Sequence, residues 1–217
     1  MENIRYAVFD MDGTLADSMR YWIGVLDEYL DAISDKVCLP ADVHEKMQHM
    51  NLAQGAEYLR SLEGFPKELL PRADATVTLM RTHYEKDILL RDGARELLEK
   101  LKAQNVRMGI ATLTPRTLVD VCLKKNGIYD CFEFFFTSDE YPKGKSDDLI
   151  FLDISRHFGV PCEEIWLFED CLYSVERAKA LGYRIAVTEE EEQKTDFEAL
   201  YEISDMYFKN GFLNRVK

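Results

Sequence analysis

The chain has 217 residues, of which 47% are hydrophobic and 31% charged, with a formal net charge of −13. That length suits one domain of ordinary size, or a core with a modest insertion, and the composition excludes a disordered or fibrous chain. The acidity excludes a surface built to hold nucleic acid, and no apolar window reaches the length of a membrane span.

Five cysteines, Cys38, Cys122, Cys131, Cys162 and Cys171, are scattered without a C-x-x-C pair. An odd, dispersed set reads as reduced thiols in a cytoplasmic protein. The first apolar run is too short for a secretory leader and ends in Asp10.

Residues 4–9 predict a buried strand, with Tyr6-Ala7-Val8-Phe9 running straight into Asp10-Met11-Asp12-Gly13-Thr14. Side chains alternate along extended chain, so Asp10 and Asp12 can face one reacting centre. One carboxylate can attack while the other moves a proton. Acids this close repel each other unless a cation lies between them. Asp-Gly is also a common turn signal, so the pair gains its meaning from the segments that follow.

Residues 19–88 contain no convincing strand. They predict helices over 21–33, 41–50, 52–62 and 66–86, an all-helical block that reads as a cap domain. The core would then be 1–18 with 89–217, joined to the cap through crossings at 15–18 and 89–93. Lids of this kind exclude water and complete a site on closure. Arg20, His44, His49, Asn51 and Gln54 are the cap residues able to contact a substrate, although each also reads as ordinary solvated surface.

Past the second crossing, Ala94, Leu97, Leu98 and Leu101 have the spacing of one helix face. A strand over 107–111 ends in Thr112, whose hydroxyl can donate to an anionic oxygen. Thr114 and Pro115 read as the N-cap and first position of a helix over 117–125. A strand over 132–136 leads to Tyr141-Pro142-Lys143-Gly144-Lys145-Ser146, and Lys145 on this loop could neutralise a phosphoryl oxygen. A helix over 149–157 precedes a strand over 165–168 that ends in Glu169-Asp170. Hard cations such as magnesium take carboxylate oxygens of this kind, here from Asp10, Asp170 and Glu169. A helix over 174–181 and a strand over 184–187 follow, with Gly127 and Gly182 placed to stop helices. The acidic run 189–192 reads as a solvated helix start. The alternation defines an α/β class: a Rossmann-like doubly wound parallel sheet with an inserted all-α helical cap.

Four strand ends thus carry Asp/Asp, Thr, Lys and Glu/Asp in chain order. Over nearly the whole chain this set resembles the haloacid dehalogenase superfamily, in the phosphatase branch that includes phosphoglycolate phosphatases and their β-phosphoglucomutase-like kin. Asp10-Met11-Asp12-Gly13-Thr14-Leu15 corresponds to the first motif, Thr112 to the second, the segment from Gly144 to Phe151 to the third, and Phe168-Glu169-Asp170 to the fourth. Departures from the family pattern are Leu113, where Asn is usual, Ser146 and Asp148, where prolines are usual, Cys171, where a small residue is usual, and Ser174, where Gly is usual.

The resemblance implies a magnesium-dependent phosphatase that hydrolyses a small phosphorylated metabolite through an aspartyl-phosphate. Asp10 would be the nucleophile and Asp12 the general acid and base, with Thr112 and Lys145 stabilising charge. Asp10, Asp170, Glu169 and the backbone carbonyl of Asp12 would hold Mg2+. Two alternatives stand beside this reading: a sugar-phosphate mutase of the β-phosphoglucomutase type, and a silent binding module on the same fold. Such mutases carry a cap-linker His where this chain has Trp22. A dehalogenase of the superfamily would lack the second Asp. Oligomeric state is not legible.

Overall fold

A computed structural model of the chain describes every residue except 1–3, 34–36, 38, 48 and 49. Cys38 and His49 lie outside the described residues. The sheet has seven strands in the order β3-β2-β1-β4-β5-β6-β7. These are β1 (Tyr6–Phe9), β2 (Arg107–Ala111), β3 (Phe134–Phe136), β4 (Ile165–Glu169), β5 (Arg184–Thr188), β6 (Met206–Lys209) and β7 (Asn214–Arg215). All neighbours pair parallel except the final β6–β7 pair. The strand order reverses direction between β1 and β4, and at such a switch point the loops diverge and leave a crevice at the carboxyl ends.

Strand alternation divides the core into two layers. Ala7, Phe9, Trp166 and Phe168 pack on one face with α5 (Ala94–Ala103) and α6 (Arg116–Lys125). Val8, Ile165 and Leu167 pack on the other with α7 (Asp148–Phe158), α8 (Leu172–Ala180) and α9 (Phe197–Ile203). Gly109 is required where β2 meets β3, because a Cβ there would lie 2.1 Å from the Phe134 ring. The doubly wound parallel sheet is therefore present, and two late strands and α9 extend it beyond the sequence reading.

Between β1 and α5 every regular element among the described residues is helical: α1 (Met19–Ile33), α2 (Val43–Met47), α3 (Leu52–Ser61), a short turn at Lys67–Leu69 and α4 (Ala73–Lys86). One helix was expected over 66–86. Pro71 divides it, since the residue before a proline avoids the helical region and Leu70 is extended at ψ 128°. Leu26, Leu30, Val43 and Leu59 form a separate small core here. The two crossings run antiparallel, with Asp17 N–H donating to Leu89 O and Arg91 N–H to Leu15 O, each at 2.9 Å. Arg91 also pairs with Glu190 and donates to Glu189 O, anchoring the second crossing to the loop after β5. Glu190 is buried, so the acidic run 189–192 is not uniformly solvated as its composition predicts.

Candidate active site

Phe9 pairs with Phe168, and Asp10 N–H donates to Phe168 O at 2.9 Å. This register sets the ends of β1 and β4 side by side and brings Asp10 against Glu169 and Asp170. All three carboxylates are buried, as is Lys145 on the turn Gly144–Ser146. The Lys145 ammonium donates to Asp10, and to Glu169 Oε1 at 2.8 Å. Glu169 Oε2 accepts from the Asp170 backbone N–H at 2.9 Å. Thr14 Oγ1 donates to Asp170 Oδ1 at 2.7 Å. Gly13 makes that approach possible: its φ is +83°, and an added Cβ would lie 2.5 Å from Asp170 Oδ2.

Asp12 lies beside this group but is held differently. Its Oδ1 accepts from Ser18 Oγ at 2.6 Å and from the Tyr84 hydroxyl, and its Oδ2 from Thr114 Oγ1. Tyr84, in the last turns of α4, accepts in turn from Trp22 Nε1 at 3.0 Å. The expected N-cap role of Thr114 is not realised. Pro115 takes the cap position, and the Thr114 hydroxyl is spent on Asp12. Buried Thr112 accepts the Thr114 backbone N–H at 3.2 Å and faces the same cavity as Asp10, Asp12 and Lys145. Tyr84, Ser18 and Thr114 are the contributors that the motifs did not flag. Ser18 and Thr114 sit in connections and Tyr84 inside a helix, and a lone hydroxyl in either place has no local signal for such a role.

The charges do not balance. Burial pushes the Asp10 carboxyl up to about 8, against the pull of Lys145 and with further repulsion from Glu169 and Asp12. Burial, then Glu169 and Asp10, likewise raises Asp170 well above the usual carboxylate range. Burial alone would raise Glu169, but the charge and hydrogen bond of Lys145, together with further hydrogen bonds such as that from the Asp170 N–H, hold it below its ordinary value. Burial opposes the charge on Lys145, yet Asp10 and Glu169 keep it protonated. A single ammonium thus faces three buried carboxylates. Oxygens of Asp10, Glu169 and Asp170 lie within 4.8 Å of one another. An all-oxygen, electron-rich set of this kind fits a hard divalent cation such as magnesium. The Asp12 side chain is outside this set.

The expected cap contacts fare differently. Arg20 is exposed, stacked 4.8 Å from the Tyr21 ring. His44 lines the cavity and sits 3.2 Å from Asp27. Asn51 caps α3 reciprocally with Gln54, and its Nδ2 also donates to Pro142 O at 2.8 Å, tying the helical segment to the loop that carries Lys145. Burial raises the pKa of the Cys171 thiol, which fits a packing residue.

A parallel α/β sheet whose switch point gathers four buried acid and base groups under a helical insertion is the architecture of a hydrolase acting on phosphorylated compounds. The chain belongs to the haloacid dehalogenase-like hydrolases, whose family model matches residues 4–182. It is similar to a phosphorylated carbohydrates phosphatase of Thermotoga maritima, 27% identical over 81% of this chain and 80% of that one. A phosphoglycolate phosphatase of Pseudomonas fluorescens is 28% identical over 83% of this chain and 67% of its own. Among solved structures, CbbY from Rhodobacter sphaeroides in complex with phosphate superposes with a TM-score of 0.76 at 25% identity, covering 87% and 88% of the two chains. No helix among the described residues is long and apolar enough to cross a membrane.

Proposed function

We propose that the chain is a magnesium-dependent phosphatase that hydrolyses a small phosphomonoester through an aspartyl-phosphate on Asp10. The observation that carries this is the buried convergence of Asp10, Lys145, Glu169 and Asp170 on one cavity, with Asp12 at its edge. Bound between Asp10, Asp170 and Glu169, magnesium would neutralise negative charge on the phosphoryl group.

The chain's own residues supply the rest. Lys145 holds Asp10 in place and offers its positive charge to the phosphoryl oxygens. The Thr112 hydroxyl, at the next strand end, donates to another. An Asp10 oxygen attacks phosphorus. Asp12, fixed by its hydroxyl partners, protonates the departing alkoxide and then takes a proton from the water that releases phosphate. Segment 19–88 acts as the cap that excludes bulk water. Water is the acceptor rather than a second sugar, because Trp22 offers only an N–H donor and gives it to Tyr84. A reducing, cytoplasmic setting fits the free thiols of Cys122, Cys131 and Cys162.

Phosphate release from p-nitrophenyl phosphate tests this reading. Chelation should abolish it and magnesium restore it. Asp10→Asn should lower kcat by about a thousandfold or more while the melting curve stays cooperative. Full activity after exhaustive chelation, or Asp10→Asn within tenfold of the native enzyme, would contradict it.

A further inference from the structure

The cavity above Asp10 is about 160 Å³, comparable to cavities that hold a single benzene-sized molecule. Its wall away from the carboxylates comes from the helical segment and is apolar: Ile23, Leu26, Met47, Met50, Leu52 and Leu59 all face it. Most polar atoms of that wall already have partners within the protein. Asn51 Oδ1 accepts the Gln54 N–H and Asn51 Nδ2 donates to Pro142 O. Trp22 Nε1 donates to Tyr84, and Thr76 Oγ1 to Arg72 O at 3.4 Å. His44 Nε2 faces Asp27. Lys145, the one lysine or arginine among the described lining residues, is committed to Asp10 and Glu169. Gln193 and Tyr173 add polar atoms from the core side, where the wall meets the carboxylates.

We infer that the leaving group of the substrate is a small, largely apolar alcohol, a short alkyl chain or a single ring, with few polar functions beyond the ester oxygen. This rests on the phosphatase reading and specifies its substrate class. A carboxylate on the leaving group would meet no uncommitted cation. The several hydroxyls of a sugar would leave water for partners that the wall does not provide, and a pocket rejects a ligand whose polar groups it leaves unpaired. An apolar body instead gains by leaving water, and a pocket lined mainly by aliphatic side chains with few polar groups is the usual host for one.

A substrate series tests the inference: methyl, ethyl, propyl and butyl phosphate, benzyl phosphate, 2-phosphoglycolate, glucose 6-phosphate, and acetyl phosphate, which is activated and needs little contact with its body. We expect kcat/KM to rise about three- to fourfold per methylene from methyl to butyl, the factor that transfer of one CH2 out of water provides. Benzyl phosphate should exceed glucose 6-phosphate and 2-phosphoglycolate by tenfold or more. Ile23→Asn, checked for cooperative melting, should lower kcat/KM for butyl phosphate about tenfold relative to acetyl phosphate. Should Ile23→Asn melt early, Met50→Gln serves the same comparison from the other side of the wall. A flat or falling alkyl series, a preference for 2-phosphoglycolate or glucose 6-phosphate, or a folded variant with an unchanged ratio would overturn the inference and leave the phosphatase reading standing. Failure to cleave any compound, acetyl phosphate included, would instead defeat the phosphatase reading itself.

Discussion

At the scale of single residues, Asp12 is the position whose environment says most about its task. Three hydroxyls converge on its two oxygens, from Ser18 in the first crossing, Thr114 before α6 and Tyr84 on α4. Tyr84 is wholly buried, and burial next to Asp12 lifts its pKa well above the ordinary phenol value. It therefore remains a neutral donor at any working pH, and its contact comes from the helical segment rather than the core. Tyr84→Phe keeps the ring in its packing and deletes one donor to Asp12. The expected outcome is a fall in kcat of about tenfold with little change in KM, since orienting an acid–base group acts on the transition state more than on ground-state binding. The orphaned Trp22 N–H should cost about 1 kcal/mol of stability. Steady-state kinetics beside a denaturant melt checks both, and an unchanged kcat would remove Tyr84 from any positioning role. Asp10, Asp12, Thr112, Lys145, Glu169 and Asp170 were legible in the sequence because each ends a strand or sits on a loop with a recognisable local pattern. Tyr84 was not, because its partner lies 72 positions away and only the packing of α4 joins them.

At the scale of elements, the junction between α1 and α4 carries a charge device. His83 on α4 places Nε2 at 2.8 Å from Glu28 Oε2 on α1, and Nδ1 at 3.0 Å from Asp87 Oδ2. Partial burial pulls the imidazole pKa down, but Glu28 and Asp87 together overcome it and leave it above the ordinary 6.5. A raised value means that the folded state binds the proton more tightly than the unfolded chain does. The contribution is therefore complete below about pH 6.5 and is lost as pH rises through the higher folded value. Glu28 and Asp87 are nearly half exposed, so screening limits the effect to roughly 0.5 kcal/mol, or 1–2 °C in Tm. The Tm difference between the native chain and His83→Gln should shrink between about pH 6 and 8. A difference that is constant or grows over that window would refute the linkage. Element boundaries show where sequence patterns suffice. Strands β1, β2, β4 and β5 are short apolar runs ended by polar residues, and each was found within a residue or two. Helix α4 was overrun at its start because the apolar period continues through Pro71, where backbone sterics stop it. β6, β7 and α9 were missed because Met206–Lys209 and Asn214–Arg215 are too short to show a period and become strands only by pairing at the sheet edge.

At the scale of the molecule, the fold creates a place where charge is concentrated on purpose. The switch point between β1 and β4 aligns two acidic strand ends, the loop after Thr137 returns Lys145 to them, and the helical segment closes over the group through Asn51 and Tyr84. The sheet and its strand ends were readable because periodicity and chain order encode them. The apolar character of the cavity wall was not, because Ile23 comes from α1, Met50 from the connection before α3 and Leu59 from α3, and they share a surface only after folding. The central claim is that a residue of the chain, Asp10, carries the phosphoryl group between substrate and water. That makes hydrolysis two successive in-line displacements, each inverting phosphorus. The most direct measurement is the stereochemical course with a phosphorothioate monoester made chiral at phosphorus by oxygen isotopes, hydrolysed in isotopically labelled water. Overall retention of configuration is the predicted result. Overall inversion would mean that water attacks the substrate in one step, and would contradict the account.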